Sequence, residues 1–236
     1  MKHQETMLNT LPNGNSILNG LSQEDIGDNH ISTSLETPMK EDAFEISDEE
    51  KKYRISEHFT QIMDILGLDL NDDSLRGTPD RVAKMYVEEI FSGLNPKNKP
   101  RVALFENKYQ YNQMLVEKNI TLNSNCEHHF LPIYGVAHVA YISSGKVIGL
   151  SKLNRLVQYY AKRPQVQERL TNQIGNELME MLDTKDVAVI IDARHMCVSA
   201  RGIEDSTSST VTAFYSGKFE EQNRKTELQN YIYNNQ

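Results

Sequence analysis

Only two of the 236 residues are cysteine, Cys126 and Cys197, too few for a disulfide-stapled secreted scaffold. Runs of basic residues are also missing, which argues against a nucleic-acid-binding surface. No apolar stretch approaches the roughly 20 residues of a membrane-spanning helix, and residues 1–30 lack the apolar core of a secretory signal. Together these absences lead to an expectation of a cytoplasmic chain with no membrane and no nucleic-acid partner, whose thiols stay reduced. The net charge of −8 is unevenly spread. Residues 1–50 hold 11 acidic and 2 basic side chains, and residues 51–236 hold 22 and 23, so the acidity belongs to the N-terminal segment.

That segment, residues 1–48, is rich in Asn, Ser, Thr and acidic groups with no sustained apolar period, and is expected to be a disordered arm. From Asp48 the pattern changes. Ile55, Phe59, Ile62, Met63 and Leu66 recur at helical spacing before Gly67. Thr78-Pro79-Asp80 predicts a second helix with Thr78 as its N-cap, ending near Ser92-Gly93. Residues 49–98 therefore read as a helical extension, and 99–236 as the domain that carries the chemistry.

After Pro100, strands are expected near 102–106 and 117–123, then a hairpin of 130–142 and 146–150 around Ser143–Lys146. His138, within the alternation of that hairpin, reads as an ordinary strand residue. Two helices separated by Pro164 follow. The first is expected to start at Ser151 as N-cap, with Lys152 and Arg155 in its first turn. Cations there oppose the helix dipole, which makes sense if free N–H groups and both side chains cradle a phosphate. The second carries the stripe Val166, Leu170, Ile174, Leu178 and Leu182. Asp186–Asp192 reads as a buried strand, and Thr207–Tyr215 as a last one.

The chemistry concentrates in Cys126-Glu127-His128-His129-Phe130. Cys126 and His129 form a C-x-x-H pair that can reach one zinc ion from a single turn. Cys197 supplies a third ligand, and continued extension of the strand would project His195 and Cys197 to one side. Three ligands without a fourth suggest an open, catalytic zinc site, with His128 and His195 beside it as acid–base candidates. On spacing alone the alternative stays open: two small buried apolar cysteines and a pair of solvated histidines.

Several longer stretches together resemble the GTP cyclohydrolase I family. They are T-P-D-R-V-A-K-M at 78–85, C-E-H-H-F at 126–130, I-G-L-S-K-L-N-R-L-V at 148–157, R-P-Q-V-Q-E-R-L at 163–170, and H-M-C at 195–197 followed by A-R-G. The resemblance runs from about Leu66 to about Phe219. It implies an α+β tunnelling fold, an antiparallel sheet with two helices on one face, preceded by a helical extension. It implies a homodecamer with active sites between subunits. The implied reaction converts GTP and water to 7,8-dihydroneopterin triphosphate and formate, the first step of folate and pterin biosynthesis. Carried over by position, Cys126, His129 and Cys197 hold Zn2+, and His128, His195 and Ser151 serve acid–base chemistry. Ser151 also falls, with Lys152, Arg155 and Arg201, among the groups around the triphosphate. Gln167 and Glu168 fall at the guanine end. Glu204, three residues from Arg201, departs from the basic or neutral residue common in relatives. Among rivals, a zinc deaminase would need H-x-E and P-C-x-x-C patterns that are absent. A nitrile reductase of the same fold, or a zinc-stabilised assembly module, would show no GTP turnover.

Overall fold

The computed structural model describes residues 34–233. The part of the acidic arm at 1–33 lies outside the described residues. Helix α1 spans Asp48–Ile65, where the change of pattern put its start. Ser47 caps it by accepting from the Glu50 N–H at 3.1 Å, and Asp48, Glu49 and Glu50 favour the dipole. The chain leaves α1 through Gly67 at φ +79°. Of the apolar stripe only Met63 is buried; Ile62 and Leu66 are exposed on the single chain, as is Ile65 beside them.

Helix α2 (Thr78–Lys84) runs directly into a wider π-helical segment, Met85–Ile90. Gly77, not Thr78, is its N-cap. The Thr78 hydroxyl instead accepts from the Arg81 guanidinium at 3.2 Å, so the capping expectation fails by one residue. The extension is locked to the domain at Gly93. Its N–H donates to Lys162 O at 2.9 Å, and its own carbonyl accepts from Arg163 Nε at 2.9 Å. A Cβ there would sit 2.0 Å from Tyr159 O, so only glycine permits this approach. Arg163 in turn stacks over the rings of Tyr159 and Tyr160, 4.7 and 4.5 Å from their centroids.

Seven strands follow: β1 (Leu104–Glu106), β2 (Met114–Cys126), β3 (Pro132–Ile142), β4 (Lys146–Ile148), β5 (Pro164–Gln165), β6 (Val187–His195) and β7 (Thr210–Tyr215). Five of them form one sheet in the order β5-β2-β3-β6-β7, antiparallel except that β5 runs parallel to β2. The expected hairpin between β3 and β4 does not form. β4 turns away and pairs with β1, while β3 takes β2 and β6 as neighbours. Alternation reported both segments as strands but carries no information about partners. β2 is also longer than expected, because a bulge between Glu117 and Ile120 interrupts its alternation. There Asn119 takes φ +60° and donates its N–H to His138 Nδ1 at 3.3 Å. Burial pushes the His138 pKa down, so the ring stays a neutral acceptor.

Helices α3 (Leu150–Ala161) and α4 (Gln167–Leu182) pack on one face of the sheet. Ser151 lies inside the first turn of α3, since Gly149 is the N-cap. Leu170, Ile174, Leu178 and Leu182 are fully buried against Val189, Ile191 and their neighbours. At about 1.5–3 kcal/mol each, these four side chains contribute on the order of 10 kcal/mol as an upper estimate. The opposite face is partly covered by the C-terminal helix α6 (Gln222–Tyr233), whose Leu228 and Ile232 meet Ala140, Ile142 and Ile190. The chain is thus α+β, with two helices on one face of a largely antiparallel sheet.

Candidate active site

Three strand ends meet at one edge of this sheet. β2 ends at Cys126, β3 starts at Pro132, and β6 ends at His195 opposite Ile133. Between β2 and β3 the chain makes a tight turn. The Phe130 N–H donates to Cys126 O and the Cys126 N–H to Leu131 O, both at 2.8 Å, with Phe130 at φ +54°. The turn puts the Cys126 sulfur 3.8 Å from Nδ1 of both His128 and His129.

β6 does not stay extended past His195. A short helix, α5 (Met196–Ser199), follows, so Cys197 arrives by a helical turn and not by strand alternation. The destination is the one expected. Donor atoms of Cys126, His129 and Cys197 lie within 4.8 Å of one another. Two thiols and an imidazole suit a borderline-soft ion, so the residues present fit a metal. Neither cysteine is in a disulfide. Burial and the neighbouring Cys126 sulfur push the Cys197 thiol up. A bound cation would reverse that cost by favouring the thiolate.

Arg201 NH1 stands 2.9 Å from His129 Nε2. A guanidinium only donates, so in this arrangement Nε2 is the acceptor and Nδ1 carries the proton. Ligation through Nδ1 would move the proton to Nε2 and break this contact. Arg201 therefore cannot hold His129 in this way while His129 holds a metal through Nδ1.

His195 is oriented from behind. Its Nε2 lies 2.8 Å from Gln167 Oε1. The Gln167 amide nitrogen donates to Thr210 O at 2.8 Å, Thr212 Oγ1 at 3.1 Å and Ile191 O at 3.2 Å. With those acceptors fixing the amide, Oε1 must accept, so His195 carries its proton on Nε2 and keeps its lone pair on Nδ1. Burial lowers the His195 pKa, and the nearby Glu168 carboxylate pulls it partly back. Gln167 is buried with its carboxamide engaged inside the chain, whereas Glu168, next to it, is exposed.

Comparison with known proteins assigns this arrangement to a family. The family model of GTP cyclohydrolase I matches residues 55–232. The chain belongs to the GTP cyclohydrolase I family. A protein of Flavobacterium johnsoniae named GTP cyclohydrolase 1 is 59% identical over 209 residues, covering 89% of this chain and 94% of that protein. Proteins of the same name from Aeromonas salmonicida and Yersinia enterocolitica are 55% and 54% identical, covering 80% and 84% of this chain and 85% and 90% of their own lengths.

Not all of the residues that the GTP cyclohydrolase I resemblance singles out gather here. Cys126, His128, His129, Cys197 and Arg201 are linked by the contacts above, and His195, paired with Gln167, stands two residues before Cys197 in the chain, with Glu168 close to His195. Ser151, Lys152 and Arg155 are not so placed. They sit in the first turns of α3, whose Asn154 donates to Glu117 Oε1 at 3.1 Å. Glu117 is nine residues before Cys126 on β2. At about 3.3 Å per residue, less for the bulge, the two groups are on the order of 25 Å apart. That is farther than one nucleoside triphosphate extends.

Sequence reasoning missed Glu127 and Arg169. Glu127 stands between Cys126 and His128, where ligand spacing assigns it no role. Arg169 lies beside the apolar stripe of α4, where a charge gives no periodic signal, yet it is buried and paired with Glu127. On the far side of Phe130 lies a cavity of about 460 Å³ between α1 and the π-helical segment, lined by Phe44, Phe59, Ile62, Tyr86 and Phe91. Asp48, Lys51 and His58 also line it, among mainly apolar groups.

Proposed function

We propose that this chain hydrolyses and rearranges GTP to 7,8-dihydroneopterin triphosphate with release of formate, using one zinc ion per site. The observation that carries the reading is the convergence of Cys126, His129 and Cys197 with His128 and His195, in a chain of this family. Zinc held by the two sulfurs and the imidazole would act as a Lewis acid and lower the pKa of water to about 7. The remaining work falls to the chain. His128 delivers a proton to the imidazole nitrogen of the purine as the ring opens at C8. His195, held by Gln167 with its lone pair on Nδ1, takes and returns protons at the ribose oxygen while the sugar opens and rearranges. Ser151 is the third group assigned to proton traffic. Two waters enter to free C8 as formate, and one leaves when the pterin ring closes.

Gln167 and Glu168 stand at the guanine end, and Ser151, Lys152, Arg155 and Arg201 at the triphosphate, with Glu204 adding a negative charge near Arg201. The distance between α3 and the metal cluster supports a site shared between subunits, in which α3 of one copy faces the cluster of another. A homodecamer of tunnelling-fold domains satisfies this, with residues 49–98 as helical extension and 99–236 as the catalytic part. Two thiols that must stay reduced favour the cytoplasm.

The test is direct. Purified protein incubated with GTP should give formate and a fluorescent oxidised pterin in equal amounts; GTP loss without formate would sink the reading. Shared sites make a second prediction. Lys152→Ala and Cys126→Ser should each be nearly inactive, and mixed oligomers of the two should recover activity, because some interfaces then join an intact α3 to an intact metal cluster. A mixture no better than its components would place both groups in one chain's site.

A further inference from the structure

We propose that Arg169 is a positioning residue of the metal site, acting through Glu127. The inference rests on the reading of Cys126, His129 and Cys197 as metal ligands. Glu127 stands between ligand Cys126 and His128 in sequence, and its carboxylate lies between α4 and His128 in space. Arg169 NH1 meets Glu127 Oε2 at 2.5 Å and NH2 meets Oε1 at 3.3 Å, a two-pronged pair. The same Oε1 lies 3.8 Å from His128 Nε2. The Arg169 side chain is only 3% exposed and that of Glu127 20%. The Glu127 backbone is pinned as well, its N–H donating to Gln165 O on β5 at 3.0 Å.

Arg169 is itself held from the other side. Its Nε donates to Ser34 O at 2.7 Å, so every nitrogen of the guanidinium is used. One turn along α4, Gln173 donates to Glu36 Oε2 at 2.8 Å and accepts from Gln165 Nε2 at 2.9 Å. Residues 34–36, which the sequence assigns to the disordered arm, thus strap across the helix that aims the metal-binding turn. A lysine could not reproduce this, because an ammonium has no planar fork with which to grip a carboxylate and a carbonyl at once. The pair fixes the residue that joins Cys126 to His128, and so the turn that carries Cys126 and His129; outer partners that fix ligand orientation are worth roughly 10–100-fold in metal affinity or activity.

The experiment measures metal retention on the full-length protein loaded with zinc, and the absorption bands of a cobalt-loaded sample. Arg169→Lys and Glu127→Gln are each expected to take up one metal per subunit, release it to a chelator about 10–100-fold faster, and shift the cobalt bands. The double variant should be no worse than the stronger single one, because both remove one interaction. Gln173→Ala, on the same helix face and under the same strap but without contact to Glu127, should release metal at close to the parent rate. Additive effects in the double variant, or equally fast release from Gln173→Ala, would make this general loosening of α4 and overturn the proposal. Should Arg169→Lys fail to fold, Glu127→Gln against Gln173→Ala decides alone. A parent protein that binds no metal sinks the metal reading and this inference with it. A parent that holds metal, with variants that release it no faster, sinks only this inference.

Discussion

Cys197→Ser is expected to lose its metal and to release formate at roughly 10⁻⁴ of the parent rate or less, the scale on which removing a whole catalytic unit registers. The hydroxyl that replaces the thiol is far less acidic, so it cannot supply the anionic ligand that the site needs. Cys126→Ser should behave alike, since the Cys126 sulfur belongs to the same group of donors and lies 3.8 Å from Nδ1 of both histidines of the turn. The informative contrast is His128→Ala. His128 and His129 are equally far from the Cys126 sulfur, at 3.8 Å, so distance to that atom does not choose between them as ligand. What separates them is Cys197, which joins Cys126 and His129 in one group of donors. His128→Ala should therefore keep close to one metal per subunit while turnover falls by about 10²–10⁴, the usual contribution of a proton-transfer group. Metal content of each variant, measured beside formate, decides the assignment. Metal-free His128→Ala with metal-replete cysteine variants would reverse it.

Much of this site was legible because its residues are clustered in short motifs. C-x-x-H reports a turn that presents two candidate ligands, and His195 with Cys197 reports a second segment that repeats the pattern. The route by which Cys197 arrives was not legible. Alternation cannot say that β6 stops at His195 and that a helical turn takes over, because Met196–Ser199 is too short to show a period. The α4 stripe was read correctly at Leu170, Ile174, Leu178 and Leu182, whose helical spacing leaves no other solution, while Val166 proves to be the half-buried N-cap. The β3–β4 hairpin was misread because strand partners depend on the whole sheet. Gln167 shows the same limit at a single residue. Its sequence position points towards a ligand, but its carboxamide is engaged by Ile191, Thr210, Thr212 and His195, all of them on β6 and β7, far away in sequence. The stripe of α1 is the opposite case: helix and start were right, but Ile62 and Leu66 of that stripe lack a covering surface on the single chain.

Glu168 should decide which base is accepted. An ionised carboxylate only accepts, and guanine presents N1–H and the 2-amino group as two parallel donors. Adenine has a lone pair at N1 and no 2-amino group, so ATP would set a carboxylate against an acceptor with both of its oxygens unpaired. Sites built around such a pair discriminate by about 10⁴–10⁵ in kcat/KM, because the rejected ligand leaves buried polar groups unsatisfied. On the single chain Glu168 is exposed, in the first turn of α4 beside the buried Gln167. In water a carboxylate loses little by lacking a partner, so the full factor requires that a second subunit close over it. ATP is therefore expected to be turned over at least about 10⁴-fold less efficiently than GTP by the assembled protein. ITP, which keeps N1–H but lacks the amine, should fall between the two. Glu168→Gln should cost GTP about 10²-fold or more, since an amide presents one acceptor and one donor to two donors. Its metal content should be unchanged, because Glu168 is not among the donor atoms of the cluster. Parallel kcat/KM measurements with the three nucleotides, on parent and variant, test all of this at once. Equal efficiency for ITP and GTP, or a nearly neutral Glu168→Gln, would reduce Glu168 to an acidic residue that compensates its helix dipole.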